Sequence, residues 1–299
     1  MSSGFVYDSA EQAAAAFAEE TDNFVYSRYG NPTVEMFETR LAMLEGAAAC
    51  KATGTGMAAV FAAMACQLEA GDRVVASQAL FGACHAILTK ILPKWGIETV
   101  LVDGRDLTAW QDALKQPAKL VFFESPSNPL LDIVDIAAVA KLAHEAGALV
   151  IVDNVFATPL YQRPLELGAD IVIYSTTKHI DGQGRLLGGA VLGSEDFIHD
   201  TFLPFYRQTG ATISAFNAWV MLKSLETLEL RLERHCTNAA AIAERLENHP
   251  RIANLRYPGL SSHPQHELAR QQMTGFGNIV SLRIDGGKAE ALDMLNKLQ

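Results

Sequence analysis

Residues 171–179 read Ile171-Val172-Ile173-Tyr174-Ser175-Thr176-Thr177-Lys178-His179. The apolar, largely β-branched start predicts a buried strand. The end delivers hydroxyls and a lysine to the C-terminal edge of that strand, where open α/β sheets bind ligands. A lysine there is costly to bury unless it has a partner or a task. Desolvation lowers an amine's pKa and favours the neutral form that a Schiff base requires. With the strand read as 170–175, Ser175 and Thr177 alternate along it and can both donate to a phosphate. Taken alone, the run also suits a solvated lysine at a strand end.

Outward from this run, short apolar stretches alternate with helical ones. The strand candidates are 73–77, 98–102, 119–124, 148–153, 170–175 and 189–193. They are apolar on both faces, as strands covered by helices on both sides must be. Residues 135–146 predict a helix that opens at an Asp cap and stops at Gly147. A second helix is capped by Asn31, carries Pro32 in its first turn and ends at Gly46. Its stripe of Val34, Phe37, Leu41 and Leu44 has helical spacing and reads as core packing. Such alternation implies an α/β fold with a mostly parallel sheet.

Residues 214–248 predict one bent helix or two. After His249-Pro250 follow a strand candidate (252–257), a helix (265–273), a strand (278–284) and a helical run from Lys288. These suggest a partial second, smaller α/β domain. The expected division is 1–20 as an arm, 21–235 as the large domain and 236–299 as the small one.

The chain has 299 residues and a net charge of −10, with nearly half its residues hydrophobic. That composition supports a substantial core. The acidity argues against nucleic acid and against anionic lipid surfaces. Cys50, Cys66, Cys84 and Cys236 form no CxxC pair and read as buried free thiols rather than a metal site or disulfides. No basic-then-apolar leader opens the sequence, and no run is long enough to span a bilayer, so the cytoplasm is the expected compartment.

Four further segments carry candidate chemistry. Ile151-Val152-Asp153-Asn154 ends an apolar strand in a carboxylate, which a pyridinium N–H would satisfy. A helix-capping role is the structural alternative. Thr53-Gly54-Thr55-Gly56-Met57-Ala58-Ala59 leads a glycine turn into a helix whose first amides can bind an anion. It is no Walker loop, because no Gly-Lys-Ser/Thr follows. In Tyr26-Ser27-Arg28-Tyr29-Gly30-Asn31-Pro32-Thr33, a phenol and a guanidinium can grip one phosphate. Glu124-Ser125-Pro126-Ser127-Asn128-Pro129 is a proline-stiffened loop that holds Asn128 at the mouth of the sheet. Each of these last three also reads as an ordinary turn. The absence of GxGxxG after the first strand disfavours a dinucleotide-binding fold.

In this order, the segments resemble the Cys/Met-metabolism family of pyridoxal-phosphate (PLP) enzymes over essentially the whole chain. The family includes cystathionine γ-synthases, lyases and homoserine-ester sulfhydrylases. Lys178-His-Ile-Asp-Gly-Gln-Gly-Arg185, Phe216-Asn-Ala-Trp219 and Ser262-His-Pro-Gln-His-Glu-Leu-Ala-Arg270 point to the sulfhydrylase branch. The resemblance implies an aspartate-aminotransferase-like transferase of fold type I. It implies Lys178 as the Schiff-base lysine, Asp153 on the pyridine nitrogen, and Gly56, Met57, Ser175 and Thr177 on the phosphate. Tyr26 and Arg28 would complete that phosphate site from a neighbouring subunit of a homodimer or homotetramer. Asn128 would lie near the cofactor hydroxyl and the substrate carboxylate. Phe81 stands where many members stack a tyrosine on the ring, and a phenyl ring cannot move a proton. Ala215 stands where the family often has proline.

The implied reaction is γ-replacement in methionine biosynthesis, from an O-succinyl-L-homoserine substrate and sulfide to L-homocysteine and succinate. A synthase or γ-lyase of the same family is the alternative, as is an inactive truncated PLP-binding homologue. No metal, nucleic acid or membrane is expected. The resemblance also implies a longer N-terminal arm and a full second domain bearing an arginine for the substrate carboxylate. No residue here matches that arginine, so weak or absent turnover is expected of the chain as written.

Overall fold

The computed structural model describes residues 2–298. Seven strands form one sheet: β1 (Ala49–Thr53), β2 (Arg73–Ser77), β3 (Glu98–Val102), β4 (Leu120–Glu124), β5 (Leu149–Asp153), β6 (Ile171–Tyr174) and β7 (Gly189–Gly193). Their spatial order is β1-β7-β6-β5-β4-β2-β3. The run from β6 to β3 is parallel, while β7 lies antiparallel to both β6 and β1. The sheet is thus mostly parallel and mixed, as expected. β1 was not anticipated, because its ACKAT sequence lacks the β-branched run that marks the other strands.

Alternation along the central strands divides the core. Phe122, Ile151, Ile171 and Ile173 face one side with Ala59, Val60 and Ala63 of the helix Gly56–Ala65. Phe123, Val150 and Val152 face the other side, against Trp110 and the helix Ile136–Glu145. Both faces are thus covered, as an apolar parallel sheet requires.

The helix Pro32–Glu45 is capped at the predicted ends. The Asn31 side chain accepts from Thr33 N–H, and Gly46 ends the helix at φ 79°, a conformation glycine adopts without strain. Residues 214–248 form two helices, Ala215–Leu225 and Leu228–Leu246. The latter runs unbroken through residue 236, where the domain division was expected. An antiparallel pair, β8 (Ile252–Arg256) and β9 (Ser281–Ile284), follows. Tyr257 and Leu260 pack against Ala239 and Ala243 of the long helix.

Candidate active site

β4, β5 and β6 end side by side, with Glu124 in register with Asp153, and Asp153 with Ile173. The period of two that turns Phe122, Ile151 and Ile173 toward the helix Gly56–Ala65 also turns Glu124, Asp153 and Ser175 that way. There they line a cavity of about 300 Å³ with Gly56, Met57, Phe81, Cys84, Asn128, Thr177 and Lys178. Val155, Phe156 and Leu187 complete an apolar wall. The cavity lies at the carboxyl ends of the parallel strands, where such sheets bind ligands.

β6 stops at Tyr174, so Ser175 and Thr177 lie beyond the strand rather than along it. Both still face the cavity, because the chain turns at once, with Lys178 N–H bonded to Ser175 O at 3.2 Å. The Thr177 hydroxyl is engaged: it accepts from Gly188 N–H at 3.0 Å and donates to Gly188 O at 3.1 Å.

No ion pair among the described residues involves Asp153 or Lys178. Asp153 Oδ1 accepts one backbone N–H, from Val155 at 3.0 Å. Burial pushes its carboxyl above the usual range. A recessed carboxylate that faces the cavity with no ion-pair partner suits an N–H⁺ donor from a ligand.

Gly56 is a second point of fit. A Cβ there would meet Ser175 Cβ at 2.5 Å, so only glycine lets the helix start approach the turn after β6 this closely. The Thr55 side chain caps the helix through Ala58 N–H, leaving the first amides toward the cavity. An acid for a ring nitrogen, a lysine amine and a helix N-terminus for a phosphate match the chemistry of PLP.

The sequence reading gave Glu124 no role. Its Oε1 accepts Phe81 N–H at 2.7 Å, and its Oε2 accepts Asn128 N–H at 3.3 Å. It therefore ties two cavity walls to β4. Burial, and then the neighbouring Asp153 charge, push its carboxyl well upward. Counting by twos from Phe122 places it on the cavity face of β4, and the register with β5 puts it beside Asp153. Cys84, Glu124 and Asp153 present ligand atoms within 4.8 Å of one another, close enough for a metal. Burial raises the Cys84 thiol far above its ordinary pKa.

Tyr26 and Arg28 do not line this cavity. The Arg28 guanidinium lies over the Tyr29 ring, 4.7 Å from its centroid, and donates to Arg207 O. Tyr26 is 44% exposed.

Residues 1–299 match the family described as Cys/Met metabolism PLP-dependent enzyme. The O-succinylhomoserine sulfhydrylase of Mycobacterium tuberculosis (strain ATCC 25618 / H37Rv) is 53% identical over 303 residues, covering 100% of this chain and 75% of the relative. That of Pseudomonas aeruginosa is 49% identical, covering 97% and 72%. The L-methionine gamma-lyase of Fusobacterium nucleatum subsp. polymorphum is 41% identical, covering 99% and 76%. Among solved structures, cystathionine gamma synthase from Xanthomonas oryzae pv. oryzae, in complex with aminoacrylate and cysteine, superposes with a TM-score of 0.94 at 36% identity. It covers 100% of this chain and 75% of that one.

Proposed function

This chain belongs to the Cys/Met metabolism PLP-dependent enzymes, and from that premise we propose that it replaces the succinyl group of O-succinyl-L-homoserine with sulfide. The C–O bond at Cγ breaks, a C–S bond forms there, and the products are L-homocysteine and succinate. The observation that carries this reading is the identity gap between the sulfhydrylases, at 53% and 49%, and the methionine gamma-lyase, at 41%.

Bound in the cavity, PLP supplies an electron sink that stabilises negative charge at the substrate's Cα. Lys178 holds the cofactor's aldehyde carbon through its amine. Asp153 accepts the ring N–H and keeps that nitrogen protonated. The Gly56 and Met57 amides and the Ser175 and Thr177 hydroxyls would hold the phosphate. Phe81 stacks on the ring, held in place by its N–H bond to Glu124. Asn128 orients the ring hydroxyl and the substrate carboxylate.

Lys178, once free, would take the proton at Cα and then one at Cβ, which lets succinate leave from Cγ. Phe81 has no proton to give, so this traffic falls to Lys178 or to water.

Tyr26 and Arg28 serve the phosphate of a second copy, which makes the working unit a homodimer, with pairing into a homotetramer. Supporting this, both lie outside their own chain's cavity. Mixing Arg28→Ala copies with Lys178→Ala copies should regain activity that neither has alone. The four free thiols suit a reducing cytoplasm.

The reaction is tested by competition. Sulfide and cysteine are offered as nucleophiles with O-succinyl- and O-acetylhomoserine, and homocysteine and cystathionine are measured. Clear preference for cysteine would refute the sulfhydrylase reading, and α-keto acid formed from methionine would favour a γ-lyase. Lys178→Ala should lose the visible absorbance of bound PLP.

A further inference from the structure

The strand ends have a second face. Ser125, Asn154 and Tyr174 each stand one position from a cavity residue, so the pleat turns them to the opposite side. There they meet Gln162, which is 2% exposed. Gln162 Nε2 donates to Ser125 O at 2.7 Å and to Asn154 Oδ1 at 2.8 Å. Asn154 Nδ2 donates back to Gln162 O at 2.8 Å and to the Tyr174 hydroxyl at 2.6 Å. Gln272, from the helix His266–Gln272, donates to Gln162 Oε1 at 3.1 Å and to Val134 O at 3.0 Å. Every polar atom of the Gln162 amide is thereby committed.

We propose that Gln162 is a positioning residue for the cofactor site: its amide clamps the turn after β4 to the turn after β5 and so sets where Asp153 and the Glu124–Asn128 loop stand. The proposal rests on the reading that Asp153 and Lys178 hold PLP. Gln162 reaches the cavity only through neighbours, since Ser125 follows Glu124 and Asn154 follows Asp153. Without the amide, Asn154 Oδ1, Ser125 O and the Gln272 amide lose a buried partner. The two turns can then drift apart, and a displacement of about 1 Å at a site of this kind costs up to roughly 10²-fold.

The test titrates apoprotein with PLP and records both the dissociation constant and the visible circular dichroism of the bound cofactor. Gln162→Leu is expected to weaken binding about tenfold or more and to change the visible band. Gln272→Leu should shift both in the same direction by less. The double variant should fall closer to Gln162→Leu alone than to the sum of the two. Leu114→Ala, in the core on the Trp110 side of the sheet, is the control for lost stability. It should lower the melting temperature and leave affinity and band unchanged.

Wild-type affinity and band in folded Gln162→Leu would overturn the proposal. Should that variant fail to fold, Gln162→Glu and Gln272→Leu carry the test, and wild-type values in both overturn it equally. If the unaltered protein does not bind PLP, or Lys178→Ala keeps the visible band, the site reading itself fails and this proposal falls with it.

Discussion

Gly56→Ala sets two physical rules against each other. By helix propensity alone, alanine at the start of the helix Gly56–Ala65 should stabilise the fold by about 0.5–1 kcal/mol. No left-handed backbone opposes the change, because Gly56 is not among the glycines at positive φ. Packing opposes it. The new Cβ would lie 2.5 Å from Ser175 Cβ, 2.8 Å from its Oγ and 2.9 Å from its Cα. Carbon atoms rest at about 3.5–4.0 Å, so the helix start and the 175 turn must part by roughly 1 Å.

Neither side yields easily. All of β6 is buried, and Ala59, Val60, Ala62, Ala63 and Met64 anchor the helix in the core. Overpacking of this kind costs about 1–3 kcal/mol, so packing wins. In a thermal melt of the apoprotein, Tm should fall by about 2–6 °C. PLP affinity should fall about tenfold or more, because the phosphate amides move with the helix. A Tm at or above wild type together with unchanged affinity would refute the argument and demote the glycine to a simple turn residue.

Glu45→Gln should remove a pH dependence of stability. Burial raises Glu45 from 4.5 to about 8, so the folded chain holds a proton the unfolded chain has released, and stability falls as pH rises through that interval. Glutamine still accepts from the Tyr174 hydroxyl. At about 1.4 kcal/mol per pH unit, the variant's gain above that interval approaches about 5 kcal/mol as an upper limit. Urea melts on either side of the interval would read it, and parallel slopes for the two proteins would contradict it. Asp153→Asn should still take up PLP through Lys178 yet lose about 10²-fold or more in turnover, because an amide cannot hold the ring nitrogen protonated; near-wild-type turnover would exclude Asp153 from that role. Asn31→Ala removes the 3.0 Å bond to Thr33 N–H and should cost about 1 kcal/mol in denaturant melts.

Hydrophobic pattern revealed six of the seven strands of the large sheet, because strands buried on both faces must be continuously apolar. β1 escaped because it holds Ala49, Ala52 and a lysine in the middle. Lys51 is tolerated there by its 2.9 Å ion pair with Glu38, a long-range contact no local window contains. Helix ends were legible wherever a side-chain cap or a C-terminal glycine marks them, as at Asn31, Asp135 and Gly46. At the site, Lys178 and Asp153 stood out as residue types expensive to place there without cause, while the glycine turn alone read as an ordinary tight turn. Glu124 did not, because its meaning comes from register with β5 and from amides at Phe81 and Asn128. Gln162 and Gln272 carried no signal, since a glutamine becomes distinctive only once its buried partners are known.

The cavity draws its walls from Thr55 through Leu187, and no two adjacent elements suffice to enclose it. Those walls meet only after β7 has doubled back between β1 and β6, a pairing that joins distant parts of the chain. Loop closure of that length makes such contacts slow to form. Cofactor capture is therefore a late event in folding: added PLP should leave early collapse rates untouched, yet draw the final equilibrium toward the native state by mass action. Refolding yield, more than refolding speed, is where a shortage of the vitamin-derived ligand would show.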